Sequence, residues 1–202
     1  KLGSLHHSWY HYDEAIGWYD KALSIDAADS LSFHALCGIG KVFDDLNRWF
    51  EAIKTYQRII EDYPENPDIL DVRLTLANVY VQQGSIEDAI KETEKAVTIA
   101  RGRRKAEILL TLAELYENFE EEHALKLYVL IYGNMENPVE FRTKALIKFG
   151  DLPLLRGDRR AALSAYNRIL NGIADSIAVM EVRERISRII GKEEPPLTES
   201  KP

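Results

Sequence analysis

Apolar residues recur every three or four positions along almost the whole chain, as at Ile53, Tyr56, Ile59 and Ile60. Because one helical turn takes about 3.6 residues, this spacing predicts amphipathic α-helices. No stretch of the sequence alternates apolar and polar residues over a useful length, so strands are not expected. Helix-breaking residues interrupt the pattern at short intervals, at 44–47, 63–68, 83–85, 101–103, 133–138, 157–158 and 171–172. The pattern therefore predicts pairs of helices joined by tight turns.

Five segments of the chain align with one another in an almost constant register. Tyr12–Leu23 and Trp49–Ile60 show the shared pattern most clearly, with an alanine near the start and a tyrosine four residues later. We call the aligned alanines the anchor alanines; they are Ala15, Ala52, Ala89, Ala124 and Ala162. Their separations are 37, 37, 35 and 38 residues, close to the period of about 34 residues in helix–turn–helix arrays. Five repeats of this kind are therefore predicted.

The register resembles that of the tetratricopeptide repeat, whose two helices cross at a small residue. Twelve residues before the anchors, the chain has Gly3, Gly40, Ala77, Leu112 (or Ala113, if the turn is one residue short) and Gly150. Four residues after the anchors, it has Tyr19, Tyr56, Thr93, Tyr128 and Tyr166. Pro64 matches the terminating proline of the family, and Gly84 and Gly157 match its inter-helix turn. Small residues let two helix backbones approach closely, and we expect the aromatic side chains to fill the space between hairpins.

We predict an all-α, right-handed α-solenoid of about five tetratricopeptide-like repeats followed by a capping helix. One hairpin cannot bury its own apolar stripe, so the repeats must stack. The predicted segments are a single domain 1–190, with repeats 1–29, 33–66, 70–103, 106–138 and 143–174 and a capping helix 175–190, and a flexible tail 191–202. The apolar stripe of the capping helix is formed by Ile177, Met180, Ile186 and Ile189.

Two positions depart from the repeat pattern. Gly3 already occupies the crossing position, so we expect further structure upstream in a longer protein, with a naturally short first helix as the alternative. Pro153 stands where the fifth repeat should carry an aromatic residue. Because proline lacks a backbone N–H and clashes with the carbonyl of residue 149, we expect this helix to kink or stop near Gly150.

Composition narrows the function classes. The chain has 202 residues with a net charge of −7, which argues against a general nucleic-acid binder. Residues 1–100 hold 9 Lys and Arg against 17 Asp and Glu, net −8, whereas residues 101–202 hold 17 against 16, net +1. Cys37 is the single cysteine, which excludes an internal disulfide framework. No run of about 20 apolar residues is present, so membrane insertion is not expected.

Candidate chemistry is sparse. His7, His11 and Glu14 have a spacing that could bind a metal, but they fall in the first inter-helix turn without further ligands, so we predict no metal site. Gly38–Lys41 lacks the spacing and the preceding strand of a phosphate loop. No catalytic motif is present, and we predict neither enzymatic activity nor a cofactor. Arg101–Lys105 is the densest basic run, and we interpret it as a solvated helix end.

The resemblance also implies a binding surface, because the first helix of each repeat lines a concave groove in this family. The polar residues that the register places there are Lys41, Asp44, Asn78, Gln82, Thr111, Glu114, Lys144 and Lys148. One subclass clamps a C-terminal carboxylate with lysines and asparagines from three repeats. Here Asn78, Lys144 and Lys148 match that set, but Leu74 and Thr111 replace two of its members. A true carboxylate clamp is therefore not predicted.

We predict a non-enzymatic scaffold or adaptor that binds a peptide or partner helix in this groove. The alternatives are a structural subunit that forms homo-oligomers or larger assemblies through the solenoid ends, and an RNA-associated helical repeat. The segment Tyr56–Pro67, which ends in Tyr63-Pro64 and Pro67, resembles the repeat ends of bacterial cell-envelope tetratricopeptide proteins. A soluble protein of the bacterial cytoplasm or periplasm, with the envelope favoured, is the resulting expectation.

Overall fold

The computed structural model describes residues 1–24, 29–172 and 176–191. It divides into two compact units, Lys1–Ala100 and Arg101–Pro202. Within the described ranges every regular element is an α-helix, and the fold is an α-solenoid built from tetratricopeptide-like helical hairpins. The expected tail 192–202 and the start of the predicted capping helix at 175 lie outside the described residues.

The first unit contains six described helices. They are α1 (Leu2–Ser8), α2 (Tyr12–Ser24), α3 (Asp29–Asp45), α4 (Trp49–Asp62), α5 (Ile69–Gln83) and α6 (Ile86–Ile99). Each helix packs against the next in the chain, and α1 also contacts α3. This order places the first helices of successive hairpins, α1, α3 and α5, in one layer and the second helices in another.

The second unit contains five described helices. They are α7 (Gly102–Tyr116), α8 (Glu121–Gly133), α9 (Val139–Leu155), α10 (Arg159–Gly172) and α11 (Ser176–Ile190). The first helices α7 and α9 contact each other, and α11 packs against α10. Val182 and Ile189 of α11 join the core formed with Tyr166 and Ile169, so this last helix covers the apolar face of the fifth hairpin.

Four of the five hairpins turn through a left-handed residue five positions before the anchor alanine. These residues are Tyr10 (φ 61°), Asn47 (φ 55°), Gly84 (φ 87°) and Gly157 (φ 82°). At each of them two backbone N–H groups bond back to the preceding helix, as when Gly84 donates to Val81 and Ser85 donates to Tyr80. These bonds satisfy carbonyls that a helix end would otherwise leave unpaired. In the fourth hairpin, by contrast, the residue after α7, Glu117, keeps right-handed helical geometry.

Pro153 does not stop its helix, so of the two expected outcomes near Gly150, a stop is wrong and a kink stays a prediction. The helix continues to Leu155. Pro153 is buried in the last turn, and its carbonyl accepts bonds from Arg156 and Asp158. The carbonyl of Pro153 therefore accepts the bonds that close the following turn, and the residue without an N–H lies three positions from the last residue of the helix, Leu155, counted inclusively.

The anchor alanines and the crossing glycines create the close packing of each hairpin. All five anchor alanines are fully buried. A Cβ added to Gly40 of α3 would lie 2.8 Å from a ring carbon of Tyr56 in α4, and one added to Gly150 would lie 2.7 Å from the ring of Tyr166. The same contact joins Gly3 to Tyr19. In these three repeats, the tyrosine four residues after the anchor therefore occupies the space that a side chain at the crossing position would need.

Tyr19 also confirms the expectation that the aromatic residues fill the space between hairpins. Its ring contacts Gly38 of the next repeat as well as Gly3 of its own. In the third repeat, Thr93 replaces the tyrosine, and its buried hydroxyl donates to the carbonyl of Ala89 at 2.7 Å. A small side chain that satisfies its own hydroxyl is thus compatible with the buried position.

Two glycine substitutions test the crossing contact. We expect Gly40→Ala to destabilise the protein by about 1–3 kcal/mol, because the new methyl group overlaps the buried Tyr56 ring. Gly17→Ala is the matched control, since Gly17 also lies within a helix but has nothing within 4 Å of its added Cβ. It should raise the free energy of unfolding by roughly 0.5–1 kcal/mol. Urea denaturation followed by circular dichroism measures both, and equal effects of the two changes would contradict the proposed contact.

Candidate interaction surfaces

A cleft follows α3 in the first unit. A cavity of about 550 Å³ lies between α1 and α3, and one of about 470 Å³ lies between α3 and α5. His34, Cys37 and Lys41 line both cavities, so the two meet along one face of α3. We call the two cavities, together with the face of α3 that borders both, the α3 cleft. It follows from the layered order of the first helices, which leaves their shared face uncovered by the second helices.

The α3 cleft combines an apolar floor with charged rims. Phe33, Tyr56 and Val72 are buried in the hydrophobic core and also line the cavity between α3 and α5. Asp44 and Asp68 belong to the same lining. A surface of this composition can bury apolar groups of a ligand while polar groups fix its orientation.

Asp44 carries a perturbed carboxylate. Burial raises its pKa, the neighbouring charge of Asp45 raises it further, and Lys41 acts in the opposite direction. Its Oδ1 atom is buried and has no hydrogen-bond partner among the described residues. Asp44 therefore holds a partly desolvated negative charge beside a second carboxylate, which is an unfavourable arrangement for the protein alone.

His7 of α1 contacts the end of α3 at one side of the cleft. Its Nε2 lies 2.6 Å from Oδ2 of Asp45 in α3, while His11 lies outside that pair. Within the described part of the chain, no group of three or more His, Cys, Asp or Glu side chains is arranged to hold a metal ion. The sequence had placed both histidines in an exposed turn; the structure instead assigns His7 to an inter-helix contact.

In the second unit, the corresponding face is neutralised by ion pairs between helices. Nζ of Lys148 in α9 lies 3.1 Å from Oε1 of Glu117 and 3.7 Å from Oε1 of Glu114, both on or next to α7. The buried Tyr128 of α8 donates its hydroxyl to the same Glu117 oxygen at 2.5 Å. Glu117 thus accepts from two donors, and Lys148 is occupied by carboxylates of its own unit.

The same arrangement recurs one hairpin later. Tyr166 of α10 donates its hydroxyl to Asp151 of α9. Nε of Arg185 in α11 lies 3.1 Å from the same carboxylate and also pairs with Glu181. Burial raises the pKa of Tyr166, and the hydrogen bond to Asp151 raises it further. Tyr128 and Tyr166 therefore each direct the hydroxyl to a carboxylate that a basic residue of α9 or α11 also binds.

Three segments of the chain match models of one family. Residues 1–29 and 70–103 match one tetratricopeptide-repeat model, and residues 34–66 match a second. The anchor alanines Ala15, Ala52 and Ala89 fall inside these segments. The chain belongs to the tetratricopeptide-repeat family. Proteins of this family generally act as non-enzymatic scaffolds for protein–protein interaction.

Solved structures of other tetratricopeptide proteins share the fold. MamA is 17% identical, with a TM-score of 0.61, and the match covers 93% of this chain and 98% of MamA. YrrB, described as a tetratricopeptide protein with an unusual peptide-binding site, is 19% identical with a TM-score of 0.59 over 90% of this chain and 88% of its own. BtubC from P. vanneervenii is 16% identical with a TM-score of 0.62, and the match covers 100% of this chain and 83% of BtubC. No curated protein matches the chain.

The groove residues predicted for this tetratricopeptide protein fall into three situations. Lys41 and Asp44 line the α3 cleft. Glu114 and Lys148 are joined in an ion pair. The others are exposed, and they are Asn78 and Gln82 on α5, Thr111 on α7 and Lys144 on α9. The clamp-like set Asn78, Lys144 and Lys148 is divided between the two units, so the structure does not bring its members together within one unit.

Sequence reasoning missed two carboxylates of the α3 cleft. Asp45 lies one residue beyond the face that the repeat register assigns, and Asp68 precedes α5 in a turn, where helical periodicity assigns no face. The sequence pattern also identified Tyr128 and Tyr166 only as packing residues, although their hydroxyls donate hydrogen bonds to Glu117 and Asp151. Helical spacing identifies which side of a helix is polar but does not identify the partners across a hairpin.

None of the helices in the described ranges combines the length and the hydropathy that a membrane span requires. The resemblance of Tyr56–Pro67 to cell-envelope proteins stays a prediction.

The hydrogen bond of Tyr128 gives a stability test. We expect Tyr128→Phe to lower the free energy of unfolding by about 1–2 kcal/mol, because Glu117 loses a buried donor. Tyr132→Phe is the control, since the hydroxyl of Tyr132 only accepts a bond from the exposed Arg168 and its loss should change stability by about 0.5 kcal/mol or less. Similar losses in both variants would show that the Glu117 contact contributes little.

The raised pKa of Tyr128 predicts that the stability of the protein depends on pH, and Tyr128→Phe should reduce this dependence. Burial raises the pKa of Tyr128 above the ordinary value of 10.0, and Glu117 raises it further. The folded state therefore favours the neutral phenol, and this contribution is complete below pH 10 and is lost as the pH rises above that value. Between about pH 10 and 11.5, unfolding free energies should fall more steeply for the wild type than for Tyr128→Phe.

Cys37 should react slowly with thiol reagents. Burial raises the pKa of its thiol from 9.0 to about 11, with a further contribution from Asp68. A shift of this size lowers the thiolate fraction near neutral pH roughly a hundredfold. The rate of alkylation by iodoacetamide should keep rising up to about pH 11 in the folded protein but level off near pH 9 in urea. A plateau near pH 9 in the folded state would contradict the effect of burial.

Proposed function

We propose that this chain is a scaffold that binds a peptide or a partner helix in the α3 cleft of its first unit. The observation that carries the proposal is that His34, Cys37 and Lys41, on one face of α3, border cavities on both sides of this helix. A long open cleft suits an extended or helical segment better than a small molecule. The peptide-binding site named for the tetratricopeptide protein YrrB supports the same class of ligand.

The helices around the cleft are held rigidly, which favours binding. Phe33 and Val72 are part of the core that also contains Tyr56, so the floor of the cleft is fixed by packing. A preformed site avoids the free-energy cost of ordering the protein when the ligand binds. Lys41 is exposed at the rim and can hydrogen-bond a carbonyl or carboxylate of the bound segment.

Asn78 and Gln82 extend this proposed site along α5. They follow Asp71 and Thr75 of the cleft lining at intervals of three to four residues, which places all four on one face of the helix. Both side chains are exposed amide groups that can donate to and accept from a peptide backbone. We therefore include them in the proposed binding surface.

The face of α7 and α9 is a weaker candidate for the same role. A ligand that bound Lys148 would have to replace its ion pair with Glu117 and, through Glu117, the bond from buried Tyr128. Removing one partner from such a network leaves a poorly solvated charge, which is costly. Thr111 and Lys144 are exposed and remain proposed contacts at the edge of this face.

A second candidate function, an assembly subunit, is favoured by one observation. A cavity of about 1120 Å³ lies among α1, α2 and the start of α3, and the exposed apolar residues Leu2, Leu5, Trp18 and Leu31 line it. Apolar surface of this kind often marks a protein–protein contact. Light scattering across a wide concentration range distinguishes the two functions, because an assembly subunit should gain mass with concentration and a lone adaptor should remain a monomer.

Selection of peptides from an unbiased display library tests the scaffold function. We expect selected peptides to lose at least about tenfold in affinity for His34→Trp, because an indole at this exposed position fills the place where both cavities meet. Lys54→Trp is the matched control, as Lys54 is exposed on α4 and lines neither cavity. Fluorescence anisotropy with labelled peptides gives the affinities.

Equal binding to the two tryptophan variants would place the peptide site outside the α3 cleft and contradict the proposal. Failure to select any peptide, together with a mass that rises with concentration, would favour the assembly subunit.

A further inference from the structure

The α3 cleft carries an excess of negative charge on opposite rims. Asp44 and Asp45 lie at the end of α3, and Asp68 and Asp71 lie at the start of α5. Lys41 is the one lysine or arginine among the described residues that line the two cavities. The surrounding segment has the same sign, because residues 1–100 carry a net charge of −8. The field in the cleft therefore attracts cations.

The apolar floor between these rims distinguishes the cleft from a solvated acidic surface. The buried side chains of Phe33, Tyr56 and Val72 line the same cavity as Asp44 and Asp68. Both carboxylates act on groups at the floor, since Asp44 raises the pKa of Tyr56 and Asp68 raises that of Cys37, in each case after the effect of burial. Charges beside a low-dielectric wall interact more strongly than charges in water.

Asp44 is the group that most requires a cation. Its Oδ1 is buried without a hydrogen-bond partner among the described residues, and its neighbour Asp45 already bonds to His7. An ammonium or guanidinium placed beside the Asp44 carboxylate would offset the repulsion from Asp45. Asp44 has already lost part of its hydration, so the new contact removes little further water from it.

We propose that the α3 cleft selects a basic segment of a partner protein, with one lysine or arginine at Asp44, a second at Asp68, and apolar side chains on the floor between them. This inference rests on the proposed peptide-binding function and names the chemistry of the peptide. The second unit lacks the same preference on its corresponding face, because Lys148 and Arg185 already neutralise Glu117 and Asp151.

Three synthetic peptides provide the probe. They share one framework of about twelve leucine and alanine residues and carry four lysines, four glutamines or four glutamates at the same positions. We expect the lysine peptide to bind the wild type at least about tenfold more tightly than the glutamine peptide, and the glutamate peptide to bind most weakly. Raising the salt from about 0.05 M to 0.5 M should remove most of the difference, since exposed charges are then screened.

Two double variants with equal changes in net charge locate the effect. Asp44→Asn with Asp68→Asn removes both proposed cation contacts, and Asp68 makes no side-chain cap to α5 that the change would break. Glu61→Gln with Glu65→Gln removes two exposed carboxylates outside the cavity lining. The preference for lysine over glutamine should fall about tenfold in the first variant and stay near the wild-type value in the second. Circular dichroism confirms that both remain helical.

The possible results distinguish the basic partner, the location of its site and the peptide-binding function from one another. If the glutamine and lysine peptides bind equally and His34→Trp abolishes both, the cleft binds peptides without regard to charge, and the basic partner is wrong while the scaffold function stands. If both double variants reduce lysine-peptide binding alike, only the net charge of the protein matters and the cleft assignment is wrong. If peptides bind but none responds to His34→Trp, the peptide site lies outside the α3 cleft and the proposed function of the cleft fails.

Discussion

The contact between a tyrosine ring and a glycine backbone determines how closely the helices of a hairpin can approach. Gly3, Gly40 and Gly150 each lie directly under the ring of the tyrosine four residues after the anchor alanine. The ring fills the volume that a Cβ would occupy, so the two backbones are in contact through one aromatic side chain. Every later feature of the surface depends on this spacing, because it fixes which face of the first helix remains open.

The same tyrosines link the core to the electrostatics of the surface. Their rings are buried, but their hydroxyls reach the first helices, where Tyr128 meets Glu117 and Tyr166 meets Asp151. In the first unit, the hydroxyl of Tyr19 instead lies 3.4 Å from the hydroxyl of Ser4. A tyrosine hydroxyl holds Glu117 and Asp151 in place, and Lys148 or Arg185 adds an ion pair to the same carboxylate.

The first helices of the two units follow the same repeat pattern, but their open faces therefore differ in charge pairing. In the second unit, the charges of α7, α9 and α11 satisfy one another and stabilise the stacking of the hairpins. In the first unit, Asp44 and Asp45 lie side by side with a single histidine contact, and Lys41 is the only nearby lysine or arginine of the described cleft lining. Charges that are left unsatisfied within a fold are available to a partner, whereas paired charges contribute to stability.

The sequence by itself determined the helical hairpins, their register and their family, because the anchor alanines, crossing glycines and aromatic residues recur at a period set by the geometry of one hairpin. It also identified Lys41 and Asp44 as residues of an open face. Only the tertiary structure decided that Lys148 is occupied by Glu117, that His7 belongs to Asp45, and that Pro153 lies inside the last turn of its helix. Periodicity reports how each helix faces its surroundings, but ion pairs between helices depend on the distances of side chains far apart in the chain.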